Sequence, residues 1–249
     1  MRSYREYRFA SMRMVDDGGL APVLARVVTE AGVSHVVETG TYLGTGSTRM
    51  LAAAFPSDRP PKSFITIEAN WSSWCAARGN LAAFPFVTVL WGRTMSRRRA
   101  LEFVRTDDAL RNHEQWPDVF IDDTRHPVKS YTRELRGRLG GKPRGLRSIV
   151  RFARDRLRRY SGEDLLSRSL RAVRERRPLI LLDSAGGIGW LEFQTVLHEM
   201  GSAPYTIVLD DTHHVKHFRS LAHIRSDAAF TILAESEQHG WVVARHSPG

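Results

Sequence analysis

Val36-Val37-Glu38-Thr39-Gly40-Thr41-Tyr42-Leu43-Gly44-Thr45-Gly46-Ser47 is the stretch on which the reading of the fold turns. The short apolar run His35-Val36-Val37-Glu38 ends in an acid and then a glycine-rich turn. Ser47 to Phe55 follows with helical character, and Ser47 is suited to cap that helix. A strand that feeds a glycine turn and then a helix opens a parallel sheet, in which ligands sit outside the carboxyl ends of the strands. Gly40, Gly44 and Gly46 would let the backbone approach such a ligand, because glycine carries no Cβ.

Working outward, Leu20 to Ala31 places Leu20, Val23, Leu24, Val27 and Val28 on one helical face, and Gly32 stops it. On the other side, Phe64-Ile65-Thr66-Ile67-Glu68 reads as a second strand ending in an acid. Glu68 lies thirty residues after Glu38, the length of one strand-turn-helix-strand unit. Trp71 to Leu81 reads as a helix and Val87 to Leu90 as a third strand closed by Gly92. Such alternation implies parallel pairing through right-handed crossovers. Leu179 to Asp183 and Thr206 to Asp211 are continuous apolar runs ending in acids, as expected of central strands covered on both faces. Leu191 to Met200 is the crossover helix between them, and Ala229 to Leu233 with Trp241 to Ala244 reads as a terminal hairpin around Gly240. The predicted fold is one α/β domain over residues 1–249. It is Rossmann-like and doubly wound, with a mostly parallel seven-stranded sheet, a terminal antiparallel hairpin and a basic helical insertion.

The insertion is read at about 112–177, between the third and fourth core strands. Val119-Phe120-Ile121-Asp122-Asp123 resembles a strand, Gly140-Gly141-Lys142-Pro143 a turn, and Leu146 to Leu157 a basic amphipathic helix. In that helix Ile149, Val150, Ala153 and Leu157 are expected to face inward. Ser161-Gly162-Glu163-Asp164 reads as the start of a further helix over Leu165 to Arg174.

Bulk properties agree with a single domain able to bury a sizeable core: 249 residues, 42% hydrophobic and 9% aromatic. No apolar run approaches the roughly 20 residues that span a bilayer. Met1 to Met14 is polar and basic, unlike a secretory leader, so a cytoplasmic protein is expected. Cys75 stands alone, which excludes an intrachain disulfide and a cysteine-rich zinc site. The net charge of +10 is concentrated: residues 133–177 hold sixteen basic against five acidic side chains. That block favours an anionic partner, either nucleic acid or an anionic membrane surface, although a solvated helical face has the same composition.

The Glu38-to-Ser47 turn followed by Thr66-Ile67-Glu68 resembles the class I S-adenosylmethionine-dependent methyltransferases. The closest resemblance is to the small-molecule O-methyltransferases of the catechol and macrocin type, over about 32–100 and 178–246. The resemblance implies methyl transfer from S-adenosylmethionine to a hydroxyl of a small molecule or sugar. It also implies that Glu38, Gly40, Gly44 and Ser47 hold the methionine part of that cofactor and Glu68 the ribose. Gly92, Arg93 and Thr94 would flank the adenine, with Thr41, Ala69 and Asp183 in the same set. Trp71, Trp74 and Trp91 fall near this region and are expected to pack the sheet edge.

Asp183 ends one strand and Asp210-Asp211 the next, a hard-oxygen set suited to magnesium. This disposition is similar to the metal-dependent O-methyltransferases, but Asp183 is followed by Ser184-Ala185-Gly186-Gly187 where that group commonly has Asp-Gly-x-His. His213 or His214 is the expected general base, with Asp183 alongside. A helix beginning at Thr212 would put His213 and His217 on one face. The segment Ile121-Asp122-Asp123-Thr124-Arg125-His126 echoes Leu209-Asp210-Asp211-Thr212-His213-His214, so either acid pair is open as the functional one. Three other readings stand beside the leading one: methylation of RNA or another polyanion, a non-catalytic scaffold on the same fold, and a dehydrogenase, which the glycine spacing disfavours; a homo-oligomer is open as a partner.

Overall fold

A computed structural model describes residues 14, 17–137 and 145–247. Most of the polar N-terminal stretch and the turn expected at Gly140-Gly141-Lys142-Pro143 lie outside the described residues. The elements run α1 (Leu20–Glu30), β1 (His35–Thr39), α2 (Ser47–Ala53), β2 (Ser63–Glu68), α3 (Trp71–Asn80) and β3 (Val87–Gly92). Then come α4 (Arg97–Thr106), α5 (Asp108–Arg111), α6 (Pro127–Arg136), α7 (Leu146–Arg159), β4 (Tyr160–Gly162) and α8 (Leu165–Val173). The chain closes with β5 (Leu179–Leu182), α9 (Gly189–Met200), β6 (Tyr205–Leu209), α10 (Phe218–Ser226), β7 (Phe230–Ser236) and β8 (Trp241–His246).

The sheet has the order β4-β3-β2-β1-β5-β6-β8-β7. Its first six strands are parallel, and β8 runs antiparallel to both β6 and β7. This is the expected doubly wound, Rossmann-like arrangement with antiparallel terminal strands. Each side of β5 shows why its run is wholly apolar. Ile180 and Leu182 pack under α8, α9 and α10, while Leu179 and Leu181 pack under α1 and α2. Period-two alternation thus feeds two separate cores from one strand.

Four local expectations are corrected. The sheet has eight strands rather than seven, because Tyr160–Gly162 pairs with the end of β3. Residues 119–123 are not a strand. Phe120 makes one isolated parallel bridge to His214, in a loop rather than in the sheet. Ser47 does not cap α2: Gly46 holds the cap position, and the Ser47 hydroxyl donates to Glu38 instead. Finally, α7 presents the opposite face to that expected. Phe152 and Asp155 turn inward, against Trp71 and Trp91, while Ile149, Val150, Ala153 and Leu157 are exposed. The three tryptophans do pack the sheet edge, with Trp74 stacked on Trp91 at a ring separation of 5.6 Å.

Candidate functional site

Between β1 and β5 the chain order reverses direction, which opens a crevice at the carboxyl ends of the strands. A cavity of about 580 Å³ lies there, within the roughly 300–1,000 Å³ usual for small-molecule sites. Gly40, Glu68 and Ala69 contribute from β1 and β2, and Gly92, Arg93 and Thr94 from β3. Asp183 and the small residues after it complete the wall from β5.

Glu68 is the most firmly placed acid in this wall. One carboxylate oxygen accepts the Tyr42 N–H at 2.7 Å and the other accepts the Asn70 N–H at 2.6 Å. Tyr42 adopts a left-handed backbone, φ +50°, which few non-glycine residues do. That conformation turns its amide toward Glu68. Asn70 caps α3 by accepting from Ser72 and Ser73, so its amide is fixed too. Burial raises the pKa of Glu68 while the two amides oppose the shift. A carboxylate has about four lone-pair positions, so two are left for donors in the cavity.

Four other residues of the predicted cofactor set stand behind the wall, not in it. Glu38 is fully buried and accepts from Ser47 Oγ at 2.9 Å. Burial pushes its carboxyl up to about 7, although neighbouring hydroxyls pull it down. Thr41 shares a hydrogen bond with Thr66 between hydroxyls 2.5 Å apart. Gly44 packs against Leu81, just past the end of α3, with φ +69°, so its missing Cβ makes room for protein rather than ligand. Gly40 is similar: its φ is +85°, and a Cβ there would collide with the Asp183 carbonyl. Of the turn's glycines, Gly40 thus answers to the close contact between the ends of β1 and β5, and Gly44 to the packing of the turn against α3 and Leu81.

Asp183, Asp210 and Asp211 do converge, with ligand atoms within 4.8 Å of one another. What stands among them is a residue with no mark in the sequence pattern. Lys216 Nζ lies 2.5 Å from Asp211 Oδ2 and 3.6 Å from Asp183 Oδ1. Lys216 is buried, and burial alone would lower its pKa, but the charges of Asp183 and Asp211 raise it overall. Asp210 is buried, accepts the Asp211 N–H at 2.9 Å, and is raised by burial and then by Asp183 and Asp211. Asp183 is pushed up to about 6, mainly by burial. The donor set alone suits a hard cation, yet an ammonium already compensates two of its three members. A divalent ion would share the pocket with that ammonium at close range, so the residues present do not fit the magnesium expected there.

A second cavity adjoins the first, sharing Glu134, Ala185, Gly186 and Lys216 with it. Asp122, Tyr131, Asp211 and His214 line its far side. Asp122 Oδ2 accepts from Tyr131 OH at 2.8 Å and faces His214 Nε2 at 3.3 Å. His214 Nδ1 accepts the Lys216 N–H at 3.1 Å, so neutral His214 carries its proton on Nε2, pointing at Asp122. Hydrogen bonding from His214 holds Asp122 down at about 2. His214 thus positions Asp122 and has no vacant lone pair to act as a base. Each echoing acid pair sends one member to this cavity, Asp122 and Asp211. Asp123 instead accepts the Arg125 and His126 amides in an exposed turn.

The remaining histidines are elsewhere. His213 Nε2 contacts the Glu237 carbonyl at 2.6 Å and lines a different pocket. The helix expected from Thr212 begins at Phe218, so His213 and His217 share no helical face. His217 is fully buried beside Ser220, and burial drives its pKa down. Lys216, Tyr131 and Glu134 are the site residues missed by sequence reasoning.

No protein-family model matches the sequence, and no curated protein does. Among solved structures, the O-methyltransferase TomG from Streptomyces achromogenes, in complex with SAM, is similar at 15% identity. It covers 98% of this chain and 86% of its own, with a TM-score of 0.48. The O-methyltransferase from Bacillus cereus, in complex with SAH, is 14% identical over 98% of this chain and 88% of its own, at 0.45. An rRNA methylase from Streptococcus thermophilus is 11% identical over 92% and 94%, at 0.41. At these identities and scores the likeness carries no functional weight of its own.

Proposed function

We propose that this chain is a methyltransferase that uses S-adenosylmethionine to methylate a hydroxyl oxygen of a small molecule or sugar. Glu68 carries the reading. A carboxylate braced by two main-chain amides at the end of the second strand, facing a cavity at the topological switch point, is suited to accept a pair of ribose hydroxyls. Arg93, Thr94 and Ala69 would border the base, and Asp183 the cationic end of the cofactor. The cofactor supplies a sulfonium-bound methyl group. The adjoining cavity would hold the acceptor, whose hydroxyl would meet Lys216 at the boundary.

The protein's part is positioning and charge. Lys216, held protonated by its acids, stabilises negative charge that develops on the acceptor oxygen. Glu134 lines both cavities, and its pKa is raised by burial and by the Asp122 charge. A carboxylate raised toward the working pH is the better proton acceptor, so we assign that role to Glu134 rather than to His213 or His214. Tyr131 and His214 keep Asp122 aimed at the acceptor.

Calorimetry with S-adenosylmethionine tests the reading. Wild-type protein should bind, and Glu68→Ala should bind about ten- to a hundredfold more weakly, as expected for losing charge-assisted hydrogen bonds. A folded wild-type protein that takes up no heat would overturn it. Glu134→Gln should lower kcat for methyl transfer and leave cofactor affinity unchanged.

A further inference from the structure

The outward face of α7 is the largest apolar feature that the fold leaves uncovered among the described residues. Leu146, Ile149, Val150 and Leu157 are 77, 50, 59 and 89% exposed, and Ala153 is exposed between them. At about 100° per residue these five fall in one sector roughly 100° wide, opposite the buried Asp155. Arg147, Arg154 and Arg158 border one edge of the stripe, and Arg156 the other. The inner face is firmly anchored. Phe152 packs edge-on to Trp71 and Trp91 at ring separations of 5.4 and 5.7 Å, and Trp71 Nε1 donates to Asp155 at 3.3 Å. Arg151 and Arg159 also stay with the protein, over the Trp71 and Trp74 rings. The stripe therefore cannot turn inward without undoing a packed aromatic cluster.

We propose that α7 lies flat on an anionic phospholipid surface, with Leu146, Ile149, Val150 and Leu157 among the acyl chains and the bordering arginines at the headgroups. Charge and apolarity together select this occupant. A second copy of the chain would bring two arginine borders against each other, since the helix holds six arginines and its one acid faces inward. A nucleic acid would use the arginines but leave four large apolar side chains in water. An anionic bilayer satisfies both: aliphatic side chains enter the interface while arginine stems lie along it and keep their guanidiniums wet. This inference does not depend on the methyl-transfer reading.

Sedimentation with vesicles tests it. The full chain should pellet with vesicles of equimolar phosphatidylcholine and phosphatidylserine, and at least about tenfold less with phosphatidylcholine alone. An Ile149→Ser, Leu157→Ser double variant should bind the anionic vesicles about tenfold or more weakly, because two exposed aliphatic groups no longer enter the interface. Both positions are exposed, so the variant should melt with the wild type, and circular dichroism checks this. Absence of vesicle binding, equal binding to neutral vesicles, or an unimpaired double variant would each overturn the proposal. So would a concentration-dependent dimer abolished by the double variant, which would assign the stripe to a second copy. Salt-sensitive RNA binding that the double variant retains and that displaces vesicles would do the same in favour of a polyanion.

Discussion

Two segments of this chain repeat the letters Asp-Asp-Thr, at 122–124 and 210–212, and the fold treats them oppositely. The second follows β6, a fully buried strand, so Asp210 is drawn into the interior and only Asp211 reaches a cavity. The first follows a stretch that makes one isolated bridge, so Asp122 stays more than half exposed at the rim of the cavity and Asp123 is partly exposed in the turn beside it. Their counter-groups differ accordingly. The carboxylates at 183, 210 and 211 converge, the first and last of them partly buried and paired with the ammonium of Lys216, whereas Asp122 meets an imidazole and a phenol. Identical side chains thus acquire different chemistry from what the preceding strand does to their burial.

The largest consequence is at Lys216. Removing one partner of a buried charge cluster leaves the others uncompensated, at a cost of about 3–5 kcal/mol. Lys216→Ala should lose that much in urea denaturation, and it should regain stability when magnesium is added, because its three acids are then free to take a cation. Wild-type protein should gain nothing from magnesium. An equal magnesium effect on both proteins would erase the distinction between an ammonium-filled site and a metal site. The corresponding cut on the other segment, Asp122→Asn, removes a half-exposed pair and should cost no more than about 1 kcal/mol.

A pH scan separates the segments by sign. Asp183 is raised from 3.8 to about 6, so the folded state binds its proton more tightly than the unfolded chain does. Stability from this group falls as pH rises from about 4 to 6. Asp122 is lowered from 3.8 to about 2; its contribution is present above the unfolded value and disappears as pH falls through the folded one. Melting temperatures of Asp183→Asn and Asp122→Asn, each relative to wild type, should therefore diverge in separate windows. Asp183→Asn should improve on wild type as pH rises through the upper window. Asp122→Asn should close its deficit as pH falls through the lower one. A common pH dependence would show that the segments are not electrostatically distinct.

Much of this frame is legible in the sequence because central strands write themselves as uninterrupted apolar runs. The runs from Leu179 and from Thr206 read as central strands, which puts their terminal acids at one sheet edge, and both strands are found there. Glu68 was legible for the same reason. Lys216 was not, since one lysine in His213-His214-Val215-Lys216-His217 carries no mark of burial until the loop is folded against Asp183. The buried face of α7 is hidden from the sequence for a different reason. Periodicity says which residues share a face, but not which way that face points. The direction is set by Phe152 and Asp155 meeting tryptophans some sixty to eighty residues away in the chain. Tyr160–Gly162 is too short to show a strand period at all.

The smallest effect is expected at the member of the repeated motif that reaches neither cavity. Asp123 accepts the Arg125 and His126 amides in the turn that leads into α6, and those are its contacts of consequence. Its carboxylate is lowered by those same amides, yet it sits in solvent, where screening removes most of the benefit. Asp123→Asn retains a side-chain carbonyl that can accept the same amides. The variant should therefore melt with the wild type and turn over an acceptor at the wild-type rate, while Asp122→Asn, one residue earlier, should slow turnover by disturbing the Tyr131 and His214 contacts. Matched kinetics on the two variants decide whether a place in the cavity wall, and not the motif, confers the role. If Asp123→Asn slowed turnover as much as Asp122→Asn, the turn rather than the cavity wall would be what matters in this segment.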